Sequence, residues 1–141
     1  MAKAIYTARA HVTGGRQDGH GKTDDGHLEV DVKPPGGDSG TNPEQLFAVG
    51  YAACFGSAME VVARRMKLDA GDHEIDSAVE LWPTEERGFK LAVTLDVRTP
   101  SIDDQKQAQA LVAAAHKVCP YSNATRGNID VTLTVNGRPL S

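Results

Sequence analysis

The sequence predicts an α+β protein, in which strands and helices come in segregated runs. Four stretches alternate apolar and polar residues with a period of two, as half-buried strands do. Two further stretches have the spacing of helices and lie between the strands. The predicted order of strands, helix, strands, helix and strand favours α+β over a doubly wound parallel sheet. A length of 141 residues predicts one domain, residues 1–141.

The predicted strands begin with a less regular stretch, residues 4–12, which runs into a turn at Gly14 and Gly15. A short second strand could follow from Arg16 towards Lys22. The four regular stretches are residues 28–33, 74–82, 89–98 and 129–136. Each pattern fits a sheet that has one buried face and one solvated face.

The first helix is predicted to begin at Asn42, which can cap it, with Pro43 in the first helical position. It should continue to about Lys67. From Leu46 to Ala58 it has no charge on any face, and a helix that is apolar all round must be buried on all sides. A small domain cannot easily bury such a helix alone, so we expect it to pack against a second subunit in a homodimer.

The second helix is predicted to begin at residues 101–104, which match a capping-box pattern. Its apolar stripe consists of Ala108, Leu111, Val112 and Ala115, with Cys119 four residues further on. Pro120 disfavours helical geometry at the residue before it. Cys119 should therefore lie at a helix break, on the inward face.

Composition narrows the function classes. A net charge of −4 and a pI of about 5.7 argue against a nucleic-acid partner. The apolar runs are shorter than a membrane span and the N-terminus lacks a secretory signal, so we expect a cytoplasmic protein without a membrane partner. His116 and Cys119 have no CxxC pair beside them, and the glycines near residue 15 lack phosphate-loop spacing. We therefore expect no metal and no nucleotide cofactor.

The two cysteines, Cys54 and Cys119, are 65 residues apart, and a reducing cytoplasm would not preserve a permanent disulfide between them. Composition alone favours two buried thiols that act as small hydrophobes. A reactive Cys54 would need a nearby cation, because an apolar helix raises the pKa of a thiol. Arg16 is the best candidate cation, although an arginine in a glycine-rich turn is usually solvated. Glu44, in the first helical turn, is usually just a favourable dipole partner.

Two long motifs surround the two cysteines. Residues 42–48 read NPEQLFA and residues 50–55 read GYAACF, and this pattern resembles the first-cysteine signature of the organic hydroperoxide resistance proteins of the Ohr/OsmC family. Residues 118–128 read VCPYSNATRGN, similar to the second. The opening also resembles the family, with YTA at 6–8 and GGR at 14–16. The resemblance extends from about Tyr6 to Val135.

This resemblance implies an OsmC-like fold, with antiparallel β-sheets packed around a long buried central helix in an intertwined homodimer. It implies a thiol-dependent peroxidase in which Cys54 is the peroxidatic thiolate and Cys119 the resolving thiol. Arg16 would keep Cys54 ionised and polarise the peroxide, and Glu44 would aim Arg16. The implied reductant is a lipoylated protein or another external dithiol, such as dihydrolipoamide, and no bound cofactor is implied.

Helix geometry adds one hypothesis about Glu44. Glu44 and Cys54 are ten residues apart, which is about 15 Å along a continuous helix and about 80° around it. One Arg16 side chain could hardly reach both. We therefore expect one chain to supply Glu44 to a site that contains the other chain's Cys54, unless the start of the helix unwinds.

Two questions stay open at this level. Most of the large apolar residues on or near the first helix should be core, but any that line a pocket would favour bulky organic hydroperoxides: Phe47, Phe55, Met59 and Met66. The same fold could also serve as a redox sensor or binding protein without turnover, or as a structural dimer with inert thiols.

Overall fold

The structure is a computed structural model that describes residues 2–140. It contains two sheets, a long helix and two shorter helices, which confirms the predicted α+β class. The chain divides into two compact units, one up to Leu46 and one from Phe47. The prediction of a single domain stays a prediction.

The first unit is built on a three-stranded antiparallel sheet, with the strands in the order β1-β2-β3. These strands are β1 (Ala10–Thr13), β2 (Gly19–Thr23) and β3 (Glu29–Val32). The strand predicted over residues 4–12 is therefore right only at its end. The second predicted strand exists, but it begins later, because residues 14–18 form the turn that carries Arg16.

This sheet has one apolar face, and much of that face is open. Val12 is 59% exposed and Leu28 is 47% exposed. Within residues 2–46, Val32 is the only apolar side chain that is buried, at 8% exposure. A small sheet with so little core depends on additional cover for its stability.

The second unit contains a four-stranded sheet in the order β4-β5-β6-β7. Its strands are β4 (Glu74–Pro83), β5 (Phe89–Arg98), β6 (Val131–Val135) and β7 (Arg138–Pro139). The three long strands match the predicted stretches, whereas β7 was not predicted. Strands β5 and β6 pair in parallel, so the expectation of purely antiparallel sheets is wrong at this pair. Parallel pairing arises because helices carry the chain back across the sheet between these two strands.

The long helix, α1, runs from Pro43 to Met66, which confirms the predicted start and matches the predicted end to within a residue. The Asn42 side chain accepts a hydrogen bond from the Gln45 N–H at 2.8 Å, as an N-cap should. Lys67 follows with a φ of +58°, in the left-handed region that ends helices. The helix is therefore regular from its first turn, with no unwinding at its start.

One face of α1 enters the core of the second unit, where Tyr51, Phe55 and Met59 are fully buried. The opposite stripe is exposed and includes Val49, which is 72% exposed, and Ala53. By length and composition α1 could cross a membrane, so the expectation that no segment could do so is wrong. Its buried face packs into the core of the second unit, and core helices can have the same length and apolar composition as a membrane span.

Two shorter helices, α2 (Gln105–Val118) and α3 (Pro120–Thr125), precede β6. The predicted apolar stripe of α2 is confirmed, since all four of its residues are fully buried. The predicted capping box is wrong. Asp104 is the N-cap and accepts from the Lys106 N–H at 2.8 Å, whereas the Ser101 hydroxyl donates to Asp72.

Candidate active site

The structure brings the two cysteines together within the second unit. Cys54 is half-buried on α1, and Cys119 is fully buried in the bend between α2 and α3. Both thiols are free, and Cys119 lies close enough to Cys54 to raise the pKa of that thiol. Residues 65 positions apart in the sequence thus form one dithiol site.

Cys119 occupies the predicted helix break, and its backbone is anchored on both sides. Its N–H donates to the Ala115 carbonyl at 2.8 Å, and its carbonyl accepts from the Asn123 N–H at 2.9 Å. Its ψ of 124° is extended, which turns the chain and lets Pro120 begin α3. The helix α3 was not predicted from the sequence, because Pro120 was interpreted only as the residue that ends the helix before it.

The surroundings of Cys54 hold its thiol mainly in the protonated form. Burial raises the pKa of Cys54 above its ordinary value, and the neighbouring Cys119 raises it further. A hydrogen bond from the Tyr121 backbone N–H acts in the opposite direction, because it stabilises the thiolate. Sequence reasoning missed Tyr121, since a backbone donor has no sequence signature. A reactive Cys54 therefore needs more positive charge than the dithiol site itself supplies.

Arg16 and Glu44 form a bidentate ion pair within the first unit. The Arg16 Nη2 donates to the Glu44 Oε1 at 2.7 Å, and Nη1 donates to Oε2 at 3.3 Å. This pair lowers the pKa of Glu44 and raises the pKa of Arg16, so both groups stay charged at neutral pH. The predicted partnership of these two residues is present, and their catalytic roles stay a prediction.

The loop that carries Arg16 is closed by glycines at both ends. Gly14 has a φ of +68°, and a Cβ there would collide with the Asp18 carbonyl. A Cβ on Gly19 would likewise collide with the Gly15 carbonyl. Asp18 also forms an exposed ion pair with Lys33. The Arg16 side chain is therefore presented by a tightly closed turn.

Aromatic side chains pack between α1 and α3. Tyr121 contacts Phe47, with ring centroids 5.7 Å apart, and Tyr51, with centroids 5.6 Å apart. Gly50 makes room for this packing, since a Cβ at that position would lie 2.7 Å from the Tyr121 hydroxyl oxygen. The glycine of the first-cysteine motif thus lets α3 approach the helix of Cys54.

A groove of about 560 Å³ lies beside this aromatic packing. Phe47, Phe89, Pro120 and Tyr121 contribute to its lining. Of the four large apolar residues considered as pocket lining, Phe47 alone lines this groove. Phe55 and Met59 are fully buried core residues, and Met66 packs against the same core.

The histidine beside the second cysteine has a protein partner. His116 Nδ1 and the Ser122 hydroxyl are hydrogen-bonded at 2.8 Å. Within residues 2–140, no three histidine, cysteine, aspartate or glutamate side chains are grouped as a metal site would require.

Comparison with known proteins places this chain in a family. The family model described as OsmC-like protein matches residues 36–134. The chain is 52% identical to the organic hydroperoxide resistance protein OhrB of Bacillus subtilis (strain 168), over 92% of this chain and 97% of that protein. It is 50% identical to an organic hydroperoxide resistance protein of Xanthomonas axonopodis pv. citri (strain 306), over 94% and 96% of the two chains. The crystal structure of Bacillus subtilis OhrB superposes with a TM-score of 0.87, covering 94% of this chain and 99% of that chain. The chain therefore belongs to the Ohr/OsmC family.

Proposed function

We propose that this protein is a cysteine-based peroxidase that reduces organic hydroperoxides to alcohols. The observation that carries the proposal is the pairing of Cys54 with the buried Cys119. The names of relatives that are about half identical to this chain support an organic hydroperoxide as the substrate.

The chemistry requires two steps at the dithiol site. The Cys54 thiolate attacks one peroxide oxygen, the O–O bond breaks, and the alkoxide leaves as an alcohol after taking a proton. Cys54 is then a sulfenic acid. The Cys119 thiol condenses with it, so that an S–S bond forms and water leaves.

An external dithiol closes the cycle by reducing the disulfide through thiol–disulfide exchange. Dihydrolipoamide, free or as the lipoyl group of a protein, is the reductant that we propose. The balance is one hydroperoxide and one dithiol consumed for one alcohol, one water and one cyclic disulfide formed. No bound cofactor takes part.

Arg16 and Glu44 supply the electrostatics in this proposal. The Arg16 guanidinium stabilises the Cys54 thiolate and polarises the peroxide, and Glu44 fixes the orientation of the guanidinium by its two hydrogen bonds. Because burial raises the pKa of Cys54, such a cation would change the reactive fraction of the thiol strongly.

A homodimer is part of the proposal. The exposed stripe of α1 around Val49 and the open apolar face of the first sheet are surfaces that a second copy would cover. Regular helix from Pro43 onwards supports the version in which Glu44 and Cys54 of one site come from different chains. We also propose that the protein works in the cytoplasm, where reducing conditions regenerate thiols.

Steady-state turnover tests this function. We expect continuous consumption of cumene hydroperoxide with dihydrolipoamide, much slower turnover with glutathione, and lower efficiency with hydrogen peroxide. A single oxidation of the thiols without turnover would indicate a redox sensor instead. Thiols that ignore all hydroperoxides would indicate a structural protein.

A further inference from the structure

A chain of buried polar side chains links the helices around the two cysteines. The Ser122 hydroxyl is hydrogen-bonded to the Tyr51 hydroxyl and to His116 Nδ1, each at 2.8 Å. The Tyr51 hydroxyl also lies 3.2 Å from the Thr125 hydroxyl. Tyr51 and Ser122 are fully buried, and Thr125 is 5% exposed. We call these four residues the hydroxyl network.

The members of the hydroxyl network have a regular relation to the cysteines. Tyr51 precedes Cys54 by three residues on α1. His116 precedes Cys119 by three residues on α2, and Ser122 follows Cys119 by three residues on α3. One serine hydroxyl therefore joins the helix of the peroxidatic cysteine to both helices that flank the resolving cysteine.

We infer that the hydroxyl network positions the Cys119 turn for disulfide closure, with Ser122 as its central positioning residue. This inference rests on the proposed peroxidase cycle. It adds four side chains that form and break no bond in the proposed chemistry, and that act by fixing where the second sulfur lies.

The energetics favour a positioning role over simple stability. Burying hydroxyl groups in a core costs free energy unless they are hydrogen-bonded, and an apolar core would be held together without them. A fully hydrogen-bonded polar network fixes the relative positions of the helices that it joins. It does so because hydrogen bonds restrict distance and angle, whereas apolar contacts do not. Tyr51, Ser122 and Thr125 lie among apolar core residues and are satisfied mainly by one another.

Disulfide formation is a step that requires the two sulfurs to be placed accurately. A disulfide requires sulfurs about 2 Å apart and a dihedral angle near 90°. The backbone bonds of Cys119 to Ala115 and Asn123 tie it to α2 and α3, but not to α1. The hydroxyl network adds a second connection to α1, beside the Tyr121 N–H, because Tyr51 lies on the helix of Cys54.

Overoxidation of Cys54 competes with disulfide formation, so the positioning role of the network can be measured. While Cys54 is a sulfenic acid, a second hydroperoxide can oxidise it to a sulfinic acid and release a second alcohol. The ratio of sulfinic acid to disulfide therefore compares that oxidation with closure by Cys119. A purely structural defect would lower overall activity and stability without changing this ratio.

The test uses Ser122→Ala and Tyr51→Phe, which each remove one oxygen, in the full chain. The matched control is Thr99→Val, which removes a buried hydroxyl that is bonded to Asn136 outside the network. Each protein is treated with increasing cumene hydroperoxide, and mass spectrometry counts disulfide and sulfinic acid at Cys54. Circular dichroism confirms folding, and Tyr51→Phe decides the question if Ser122→Ala does not fold.

We expect the ratio of sulfinic acid to disulfide to rise about tenfold in both network variants, because small misplacements of reacting groups slow a reaction strongly. The Thr99→Val ratio should match that of the unmodified protein. Folded network variants with an unchanged ratio would overturn the inference and leave the proposed function intact. An unmodified protein that forms neither product would overturn the proposed function itself.

Discussion

The two units of the chain differ in what holds them together. The unit from Phe47 onwards contains a continuous apolar core, in which residues from α1, α2 and the four-stranded sheet are fully buried. In the unit up to Leu46, Val32 is the only buried apolar side chain among residues 2–46. Charged pairs are prominent there instead, including Arg16 with Glu44 and His20 with Glu29.

The candidate site residues are also distributed between the two units. The unit from Phe47 onwards, which we call the core-rich unit, holds both thiols, in surroundings that raise the pKa of Cys54. The unit up to Leu46, which we call the charge-rich unit, holds the Arg16 guanidinium, and a cation beside Cys54 would lower the pKa of that thiol. In the function that we propose, the reactive thiol is Cys54 and the cation is Arg16.

The largest expected effect tests the thiol side of this comparison. Cys54→Ser should reduce hydroperoxide consumption to the uncatalysed background, because the nucleophile is lost. Cys119→Ser should still allow the first oxidation of Cys54, while turnover with dihydrolipoamide falls sharply. Steady-state kinetics of both variants measure this, and a Cys54→Ser variant with substantial turnover would contradict the assignment.

The next effect tests the charged side. Arg16→Gln should lower kcat/KM for cumene hydroperoxide by about 100- to 1000-fold, as expected when a group that stabilises charge is removed. Thiolate is the reactive form, so alkylation of Cys54 should shift to higher pH in the variant. The control is Arg98→Gln, since Arg98 also forms ion pairs, with Glu74 and Asp76, but its exposed side chain lies at the end of β5. Equal losses in both variants would refute a specific role for Arg16.

A smaller effect concerns packing inside the core-rich unit. Gly50→Ala would place a Cβ 2.7 Å from the Tyr121 hydroxyl oxygen and 3.3 Å from its ring. Overpacking of this kind lowers the free energy of unfolding by about 1–3 kcal/mol. Chemical denaturation measures the change, and adding Tyr121→Phe should recover part of it. A Gly50→Ala protein as stable as the unmodified one would show that Tyr121 moves freely.

The smallest effect concerns the charge-rich unit alone. Both ring nitrogens of His20 lie 2.9 Å from carboxylates, those of Asp31 and Glu29, and these bonds raise the pKa of His20. A raised pKa means that the stabilisation is fully present below the unfolded value of about 6.5 and is lost as pH rises through the folded value.

Thermal unfolding of His20→Gln, measured as a function of pH, tests this loss of stabilisation. The variant should melt slightly below the unmodified protein at acidic pH, and the two should converge at alkaline pH. The difference should be small because the pair is exposed. A difference that stays constant across this range would show that His20 acts through packing.

Local signals in the sequence predicted much of the fold. Asn42 and Pro43 define the start of α1, and the alternation of residues 89–98 reproduces β5. The parallel pairing of β5 with β6 could not be predicted from alternation, because a strand has the same period in either direction. Ser101 was mistaken for a cap because Asp104 offers an equally good side chain three residues later.

The candidate site was predictable only in part, because local sequence does not show which residues the fold brings together. Cys54, Cys119, Arg16 and Glu44 were identified through motif resemblance, and the Arg16–Glu44 pair is present. The partners that depend on the fold were missed. The Tyr121 backbone N–H and the hydroxyl of Ser122 become visible as neighbours of the cysteines only when α3 packs against α1.

The pairing of Cys54 with Cys119 can be tested most directly by adding one equivalent of cumene hydroperoxide to the reduced protein. Peptide mass spectrometry then identifies the products. We expect the loss of two hydrogens and a single linked peptide pair containing Cys54 and Cys119. Recovery of both cysteines as unmodified thiols, with the hydroperoxide still present, would contradict the account.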